Sequence, residues 1–162
     1  MVIVVMGPAG AGKSTVGTAL AARLGWAFVD ADDFHPRENL VKMAHGEPLT
    51  DADRAGWLSA LHDVIARGAE RRESMVLACS ALTAAHRARL VGEVRSVRFA
   101  YLKNSPEVLR ARLTARQGHV AKSNLLESQL ATLEEPADTT LTFDGESDIG
   151  TIVADMRAEF GV

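Results

Sequence analysis

The chain is poor in cysteine, in net charge and in long apolar segments. Its single cysteine, Cys79, excludes an internal disulfide framework and fits a reducing, cytoplasmic environment. A formal net charge of −3 provides no basic field that would attract nucleic acid. No apolar run approaches the length that crosses a bilayer, so no membrane association is expected. We therefore expect one domain over residues 1–162, with ligands recognised by local charges in a cleft.

A glycine-rich segment, residues 7–15, follows the apolar run Val2–Met6 and is called the phosphate loop below. It matches G-x-x-x-x-G-K-[ST], in which glycines let the backbone turn tightly and aim N–H groups at an anion. The helix that follows adds the positive end of its dipole. Lys13 would contact the outer phosphates and Ser14 could bind Mg²⁺. The motif predicts that a nucleoside triphosphate is bound by Gly7, Pro8, Ala9, Gly10, Ala11, Gly12, Lys13, Ser14 and Thr15.

Apolar runs rich in β-branched residues alternate along the chain with helical patterns. The predicted strands are Val2–Met6, Ala27–Asp30, Met75–Cys79, Val97–Leu102 and Thr140–Phe143. The predicted helices are Lys13–Leu24, Asp51–Arg71, Thr83–Leu90, Pro106–Arg116, Leu125–Leu133 and Ile149–Phe160. Strands that are apolar throughout, rather than at alternate positions, are covered on both faces. The order predicts an α/β fold of three layers, a five-stranded parallel sheet with helices on both faces.

Carboxylates cluster after the second predicted strand, at Asp30, Asp32 and Asp33, where ligands of such sheets bind. One interpretation is a turn with a helix cap, since aspartate favours both. The other is functional, because Mg²⁺ needs a carboxylate and a hydroxyl acceptor needs a base or an orienting group. The third strand ends at Cys79 and Ser80 without an aspartate, which argues against a motor or transporter ATPase. Ser80 could bond a polar ligand or cap a helix.

Three arginines lie on the fourth helical pattern, at positions 110, 112 and 116. A solvated helix surface is one interpretation of such a run. The other is a mobile lid that places guanidinium groups on a nucleotide and on charge developing at the transferred phosphoryl group. On the second interpretation Arg112 and Arg116, which share a helix face, would contact the nucleotide, and Arg116 would also be catalytic.

Residues 30–58 fit a long pattern, D-x-D-x-x-H-P-x-x-N-x-x-K-M-x-x-G-x-P-L-x-D-x-D-R-x-x-W-L. Together with segments 79–82 and 125–136, this pattern resembles the gluconokinases of the small phosphate-loop kinase group, over Val2 to about Pro136. The resemblance implies the fold of that group with a small helical lid, placed at about residues 112–130. It also implies phosphorylation of D-gluconate at its 6-hydroxyl by ATP with Mg²⁺, giving 6-phospho-D-gluconate, and a homodimer.

The resemblance also assigns substrate residues. A sugar acid carries a carboxylate, which needs cations, and a row of hydroxyls, which need mixed donors and acceptors. Lys13, Asp32 and Arg116 are the expected catalytic residues, with Asp32 as candidate base, and Ser14 and Asp30 the expected metal ligands. We expect Trp57 and Leu58 to pack in the core. The expected substrate residues are Asp32, His35, Asn39, Lys42, Arg54 and Ser80.

Two alternatives stay open from the sequence. A shikimate kinase-like enzyme would share the phosphate loop and the Asp-x-Asp spacing but not the pattern from His35 to Arg54. A nucleotide-dependent switch specific for guanine would show an Asn-Lys-x-Asp signature, which 103–106 does not match. The chain departs from the family pattern at His86, where Tyr is frequent, and at Thr83, where Lys is frequent. Residues 120–122, at the expected lid tip, depart as well.

Overall fold

The computed structural model describes residues 1–115, 119–136 and 140–162, and for residues 119–123 it describes the backbone alone. The strands are β1 (Val2–Met6), β2 (Ala27–Asp30), β3 (Met75–Ala78), β4 (Val97–Lys103) and β5 (Leu141–Asp144). The helices are α1 (Lys13–Leu24), α2 (Arg37–Ala44), α3 (Asp51–Glu70), α4 (Ala84–Val91), α5 (Pro106–Ala115), α6 (His119–Thr132) and α7 (Ile149–Phe160). A short 3₁₀ helix, Ala31–Phe34, joins β2 to α2.

Within the described ranges the strands form one parallel sheet in the order β2-β3-β1-β4-β5. Val2 is opposite Met75 on one side and Val97 on the other, so β1 is central. All five residues of β1 are buried, as expected for a strand covered on both faces. The predicted α/β fold with a five-stranded parallel sheet is confirmed.

Each face of the sheet has its own hydrophobic core because successive β1 side chains point in opposite directions. Ile3 and Val5 pack with α1, α5 and α7 in one core. Val2, Val4 and Met6 pack with α3 and α4 in the other. Trp57 and Leu58 lie in this second core, as predicted, and the buried thiol of Cys79 packs there too. Helices therefore cover both faces, and the carboxyl ends of the strands are left open for ligands.

Helix α3 starts at Asp51, as predicted, and is capped by the residue before it. Thr50 is the cap: its hydroxyl accepts the Asp53 N–H at 3.2 Å. In return the Asp53 carboxylate accepts the Thr50 N–H at 2.8 Å. This reciprocal pair is a capping box, and it uses Asp53 where glutamate or glutamine is more common. Asp51 then lies in the first turn, where its charge favours the helix dipole.

Other boundaries shift for local reasons. The cap of α4 is Thr83, whose hydroxyl accepts the His86 N–H, so Ser80 does not cap that helix. Helix α6 begins at His119 rather than Leu125, and β5 runs one residue later than predicted. None of the helices in the described ranges combines the length and apolarity needed to cross a bilayer.

Candidate active site

The phosphate loop joins β1 to α1 with a backbone that only glycine adopts readily. Gly7, Gly10 and Gly12 have φ values of 145°, 83° and 92°. A Cβ on Gly7 would lie 3.1 Å from the Leu102 carbonyl oxygen, so a larger residue would also have to shift the neighbouring backbone. Helix α1 starts at Lys13, so the positive end of its dipole lies at the loop. The segment is thus built as an anion site.

Two hydrogen bonds hold the peptide group between Pro8 and Ala9 in the phosphate loop. The Lys13 ammonium donates to the Pro8 carbonyl oxygen at 3.0 Å. The next N–H, that of Ala9, donates to Oε1 of Gln129 on α6 at 2.7 Å. The sequence motif predicted the loop but not this contact with a helix 120 residues away.

The hydroxyl of Ser14 donates to Oδ2 of Asp30 at 2.6 Å. The other carboxylate oxygen of Asp30 accepts the Asp32 N–H at 3.0 Å. Asp30 also caps the 3₁₀ helix, so the turn-and-cap interpretation is confirmed for this residue, while its predicted role as a metal ligand stays a prediction. This hydrogen-bonded chain brings together the loop hydroxyl and two of the predicted carboxylates.

A cavity of about 420 Å³ extends from the phosphate loop across the carboxyl ends of the strands. This volume lies in the range typical of small-molecule sites. Lys13, Ser14, Asp30, Asp32, His35, Arg54 and Ser80, all predicted site residues, line it. Its walls also include Met43, Leu49, Trp57, Leu113, Leu125 and Gln129. Trp57 therefore serves the core and the cavity at once, a role that the sequence alone did not reveal.

His35 stacks face to face on Trp57, with ring centroids 4.3 Å apart and an interplanar angle of 12°. The indole N–H of Trp57 donates to the Ala31 carbonyl oxygen at 2.7 Å, which fixes both rings. Burial lowers the pKa of His35, an effect that Arg54 reinforces and Asp32 opposes. The ring is therefore uncharged at neutral pH. Its Nδ1 faces the Asn39 amide at 3.4 Å, which leaves the proton on Nε2, towards Asp32.

Arg54 provides the positive charge of the cavity at α3. Its side chain is only 16 % exposed, and its guanidinium donates to Asp51 at 3.3 Å. His86 approaches the same Asp51 carboxylate at 3.7 Å. Burial, followed by the Arg54 charge, lowers the pKa of His86, so this ring is uncharged as well. A cation that is shielded from water and held by one exposed carboxylate is suited to binding an anion.

Asn39 and Lys42 are not among the residues that line this cavity. The buried Asn39 amide donates to the Asp53 carbonyl oxygen at 2.9 Å. The Lys42 ammonium contacts both Asp53 carboxylate oxygens at 2.8 Å. Both side chains fasten α2 to the start of α3. The Lys42 ammonium, together with the N–H and hydroxyl of Thr50, lowers the pKa of Asp53 to about 2. The structure thus places Asn39 and Lys42 beside the site, with protein partners.

A second cavity of about 180 Å³ borders the phosphate loop. It shares Gly10, Gly12 and Thr15 with the first cavity, so the loop lies between the two. Arg112 lines it, and its guanidinium donates to the Gly145 carbonyl oxygen at 2.9 Å and to Asn104 at 2.8 Å. Arg112 therefore lies beside the phosphate loop, and its predicted contact with a nucleotide stays a prediction.

The expected lid is described only in part. Arg116 lies outside the described residues, so its predicted nucleotide and catalytic roles stay predictions. Arg110 pairs with Glu127 at 2.7 Å, which links α5 to α6.

Comparisons with known proteins agree with this geometry. A family model described as an AAA domain matches residues 2–136. A gluconokinase of Gluconobacter oxydans is 42% identical over 160 residues, covering 98% of this chain and 90% of the relative. The chain belongs to the gluconokinase family.

Solved structures support the same family and separate it from the main alternative. A gluconokinase structure from Sinorhizobium meliloti superposes with a TM-score of 0.88 at 40% identity, over 98% of this chain and 90% of that chain. Shikimate kinase of Aquifex aeolicus superposes with a TM-score of 0.67 at 19% identity, over 99% of this chain and 96% of that chain. That likeness shows a shared fold alone, so the shikimate kinase alternative is not favoured.

Proposed function

We propose that this gluconokinase-family chain transfers the terminal phosphoryl group of ATP to the 6-hydroxyl of D-gluconate, giving 6-phospho-D-gluconate and ADP. The observation that carries the proposal is the 420 Å³ cavity, which has the phosphate loop and the shielded Arg54 on one continuous lining. A substrate that is an anion at one end and a phosphoryl acceptor at the other fits such a cavity. The family relationship identifies that substrate as gluconate.

The charge distribution sets the orientation of the substrate. Arg54 offers a guanidinium fork for the carboxylate, and each charged hydrogen bond is worth about 1.5–3 kcal/mol. His35, held flat against Trp57, presents a neutral N–H to the sugar hydroxyls. Ser80 adds a hydroxyl at the end of β3. With the carboxylate at Arg54, the far end of the chain reaches the phosphate loop and Asp32.

Asp32 is the group we propose to act on the accepting hydroxyl. Its carboxylate is 75% exposed in the cavity, while its backbone N–H is anchored on Asp30. It accepts a hydrogen bond from the 6-hydroxyl and takes its proton as the bond to phosphorus forms. Phosphoryl transfer depends chiefly on positioning and charge stabilisation, so orientation of the hydroxyl is the larger part of this role. Lys13 neutralises charge on the transferred group.

The second cavity supports placement of the nucleotide. Because the phosphate loop lies between the two cavities, a nucleotide with its base beside Arg112 directs its phosphates through the loop towards Asp32. Arg112 is held by Gly145 and Asn104, so its planar guanidinium is in a fixed position against which a purine can stack. The lid residues, including Arg116, complete the proposed nucleotide site.

The residues present fit a magnesium ion. The Ser14 hydroxyl and the Asp30 carboxylate are hard oxygen donors 2.6 Å apart. Within the described residues no group of three or more His, Cys, Asp or Glu side chains could hold a metal alone. This agrees with Mg²⁺, which keeps several waters and is bound by one or two side chains together with substrate phosphates. The ion would shield the charge of the phosphates.

The predicted contacts of Asn39 and Lys42 with the substrate stay predictions; in place of direct contact we propose that the two residues support the site by fastening α2 to α3 through Asp53. We also propose a cytoplasmic homodimer, with one domain over residues 1–162. The buried free thiol of Cys79 is compatible with a reducing compartment.

Leu40 and Val41, each about half exposed on α2, offer apolar surface to a second copy in the proposed homodimer. Sedimentation of the purified protein tests the dimer.

A coupled assay with ATP and Mg²⁺ tests the proposed reaction. The panel contains D-gluconate, other aldonic acids, the neutral alditol of the same length, and shikimate. We expect turnover with gluconate and little with the neutral alditol. Absence of gluconate turnover, together with phosphorylation of another acid, would refute the substrate while leaving a kinase in place.

A further inference from the structure

Gln129 contacts the phosphate loop but has no role in the reaction proposed above. Its Oε1 accepts the Ala9 N–H at 2.7 Å, across the interface between α6 and the phosphate loop. A partly buried amide N–H at this distance makes a strong, well-placed hydrogen bond. Because a backbone N–H is a donor only, the oxygen of the Gln129 amide is the atom that faces Ala9.

The Ala9 N–H and the Pro8 carbonyl belong to one planar peptide group. The carbonyl oxygen of this group accepts the Lys13 ammonium at 3.0 Å, while the N–H donates to Gln129. The two groups of a trans peptide point in opposite directions, so the plane is held from both sides. Hydrogen bonds in series also polarise one another, so the bond to Gln129 makes the Pro8 oxygen a better acceptor for Lys13.

We propose that Gln129 is a positioning residue, which fixes the Pro8–Ala9 peptide plane and thereby the place of the Lys13 ammonium relative to the cavity. Gln129 lines the same cavity as Asp32 and Arg54, so it ties the phosphate loop to the wall that faces the sugar acid. Without this hydrogen bond the Pro8–Ala9 peptide plane can rotate. The terminal phosphate, held by the loop and Lys13, is then less well aligned with the acceptor hydroxyl. The inference rests on the proposed phosphoryl transfer for its kinetic consequence.

The test compares Gln129→Met with Gln129→Glu. Methionine keeps the length of the side chain but offers no oxygen, whereas glutamate keeps an oxygen that accepts the Ala9 N–H. We expect Gln129→Met to lower kcat about three- to tenfold, the worth of one hydrogen bond, with the KM for gluconate changed less than about twofold. Gln129→Glu should retain more of the kcat than Gln129→Met. Thr132→Val is the matched control, because it removes a side-chain bond on the same helix, to the Ser128 carbonyl oxygen, without reaching the loop.

A second readout separates this inference from the proposed function. In ¹⁵N–¹H spectra the Ala9 amide proton should lie downfield in the wild type, move upfield in Gln129→Met, and stay in Thr132→Val. Wild-type turnover of gluconate is measured first; its absence would refute the proposed function, whereas the Ala9 signal reports the hydrogen bond with any acceptor. An unmoved Ala9 signal overturns the inference. So does a lowered unfolding temperature in Gln129→Met with unchanged kcat, which would make the contact merely structural.

Discussion

Replacement of Arg54 by alanine is the most informative perturbation of the site. The side chain is 16 % exposed, lines the cavity, and has the exposed Asp51 carboxylate as a partner at 3.3 Å. Burial is the main cause of the lowered pKa of His35 and of His86, and the charge of Arg54 adds to it in both, so this cation acts on the groups at this end of the cavity. Removing it should leave the substrate carboxylate without its main partner.

The expected magnitude follows from the chemistry of the contact. Two charged hydrogen bonds of a guanidinium fork are worth about 3–6 kcal/mol together. Water that enters the space left by the side chain recovers part of this, so we expect a loss of about 2–4 kcal/mol. This corresponds to a decrease of roughly 30- to 900-fold in kcat/KM for gluconate. Arg54→Lys keeps the charge but loses the guanidinium fork, so its kcat/KM should lie between those of the wild type and of Arg54→Ala.

Steady-state assays with two acceptors isolate the effect. For gluconate the loss should appear mainly in KM, and the KM for ATP should change less than about twofold. For the neutral alditol of the same length, the kcat/KM values of the wild type and of Arg54→Ala should be nearly equal, because the alditol has no carboxylate for Arg54 to bind. Arg89→Ala is the control, because Arg89 donates to Ser59 and does not line the cavity. Equal losses for both acceptors, or a change confined to ATP, would refute the assignment.

Three further predictions concern other parts of the site. Asp32→Asn should lower kcat by about 10²- to 10⁴-fold while ATP binding, measured by calorimetry, persists; near-normal turnover would remove Asp32 from the mechanism. Thr50→Ala should destabilise the fold by about 1 kcal/mol in denaturant titrations, with Thr50→Ser nearly neutral, and equal loss in both would argue against the capping box. The pKa of Asp53 is lowered from 3.8 to about 2 by its contacts with Lys42 and Thr50. These contacts therefore stabilise the fold to their full extent at pH values above the ordinary pKa of 3.8. This stabilisation should disappear as the pH falls towards 2, so the melting temperature of the wild type should fall more steeply with pH than that of Asp53→Asn. Parallel plots of melting temperature against pH for the two proteins would contradict the prediction.

The fold was predictable because its signals are local. Buried parallel strands read as continuous apolar runs, and the phosphate loop is a contiguous motif, so β1, the loop and α1 follow from adjacent residues. Gly25, with φ 67°, ends α1 where the sequence predicted it. The cap of α3 is harder to predict, because threonine and aspartate both cap helices and only the reciprocal bonds with Asp53 decide between them.

The site was predictable only in part, since its members come from distant segments. The motif indicated Lys13 and Ser14, and the carboxyl end of β2 indicated Asp30 and Asp32, all of which line the cavity. Gln129 could not be assigned, because a glutamine on a helix carries no sign of a partner 120 residues away.

Lys42 illustrates a different limit of the sequence. A lysine in this motif suggests an anionic partner, and in the structure its ammonium contacts the Asp53 carboxylate within the protein. Whether a charged side chain faces a ligand or a neighbouring helix depends on tertiary packing, which one-dimensional spacing does not contain.

The central claim is that one cavity holds the sugar acid with its carboxylate at Arg54 and its far hydroxyl between Asp32 and the phosphate loop. A crystal structure with gluconate, Mg²⁺ and a non-hydrolysable ATP analogue tests it most directly. The account predicts the carboxylate within hydrogen-bond distance of the Arg54 guanidinium and the 6-hydroxyl between the Asp32 carboxylate and the terminal phosphate. Gluconate bound outside the cavity, or with its carboxylate at the phosphate loop, would contradict it.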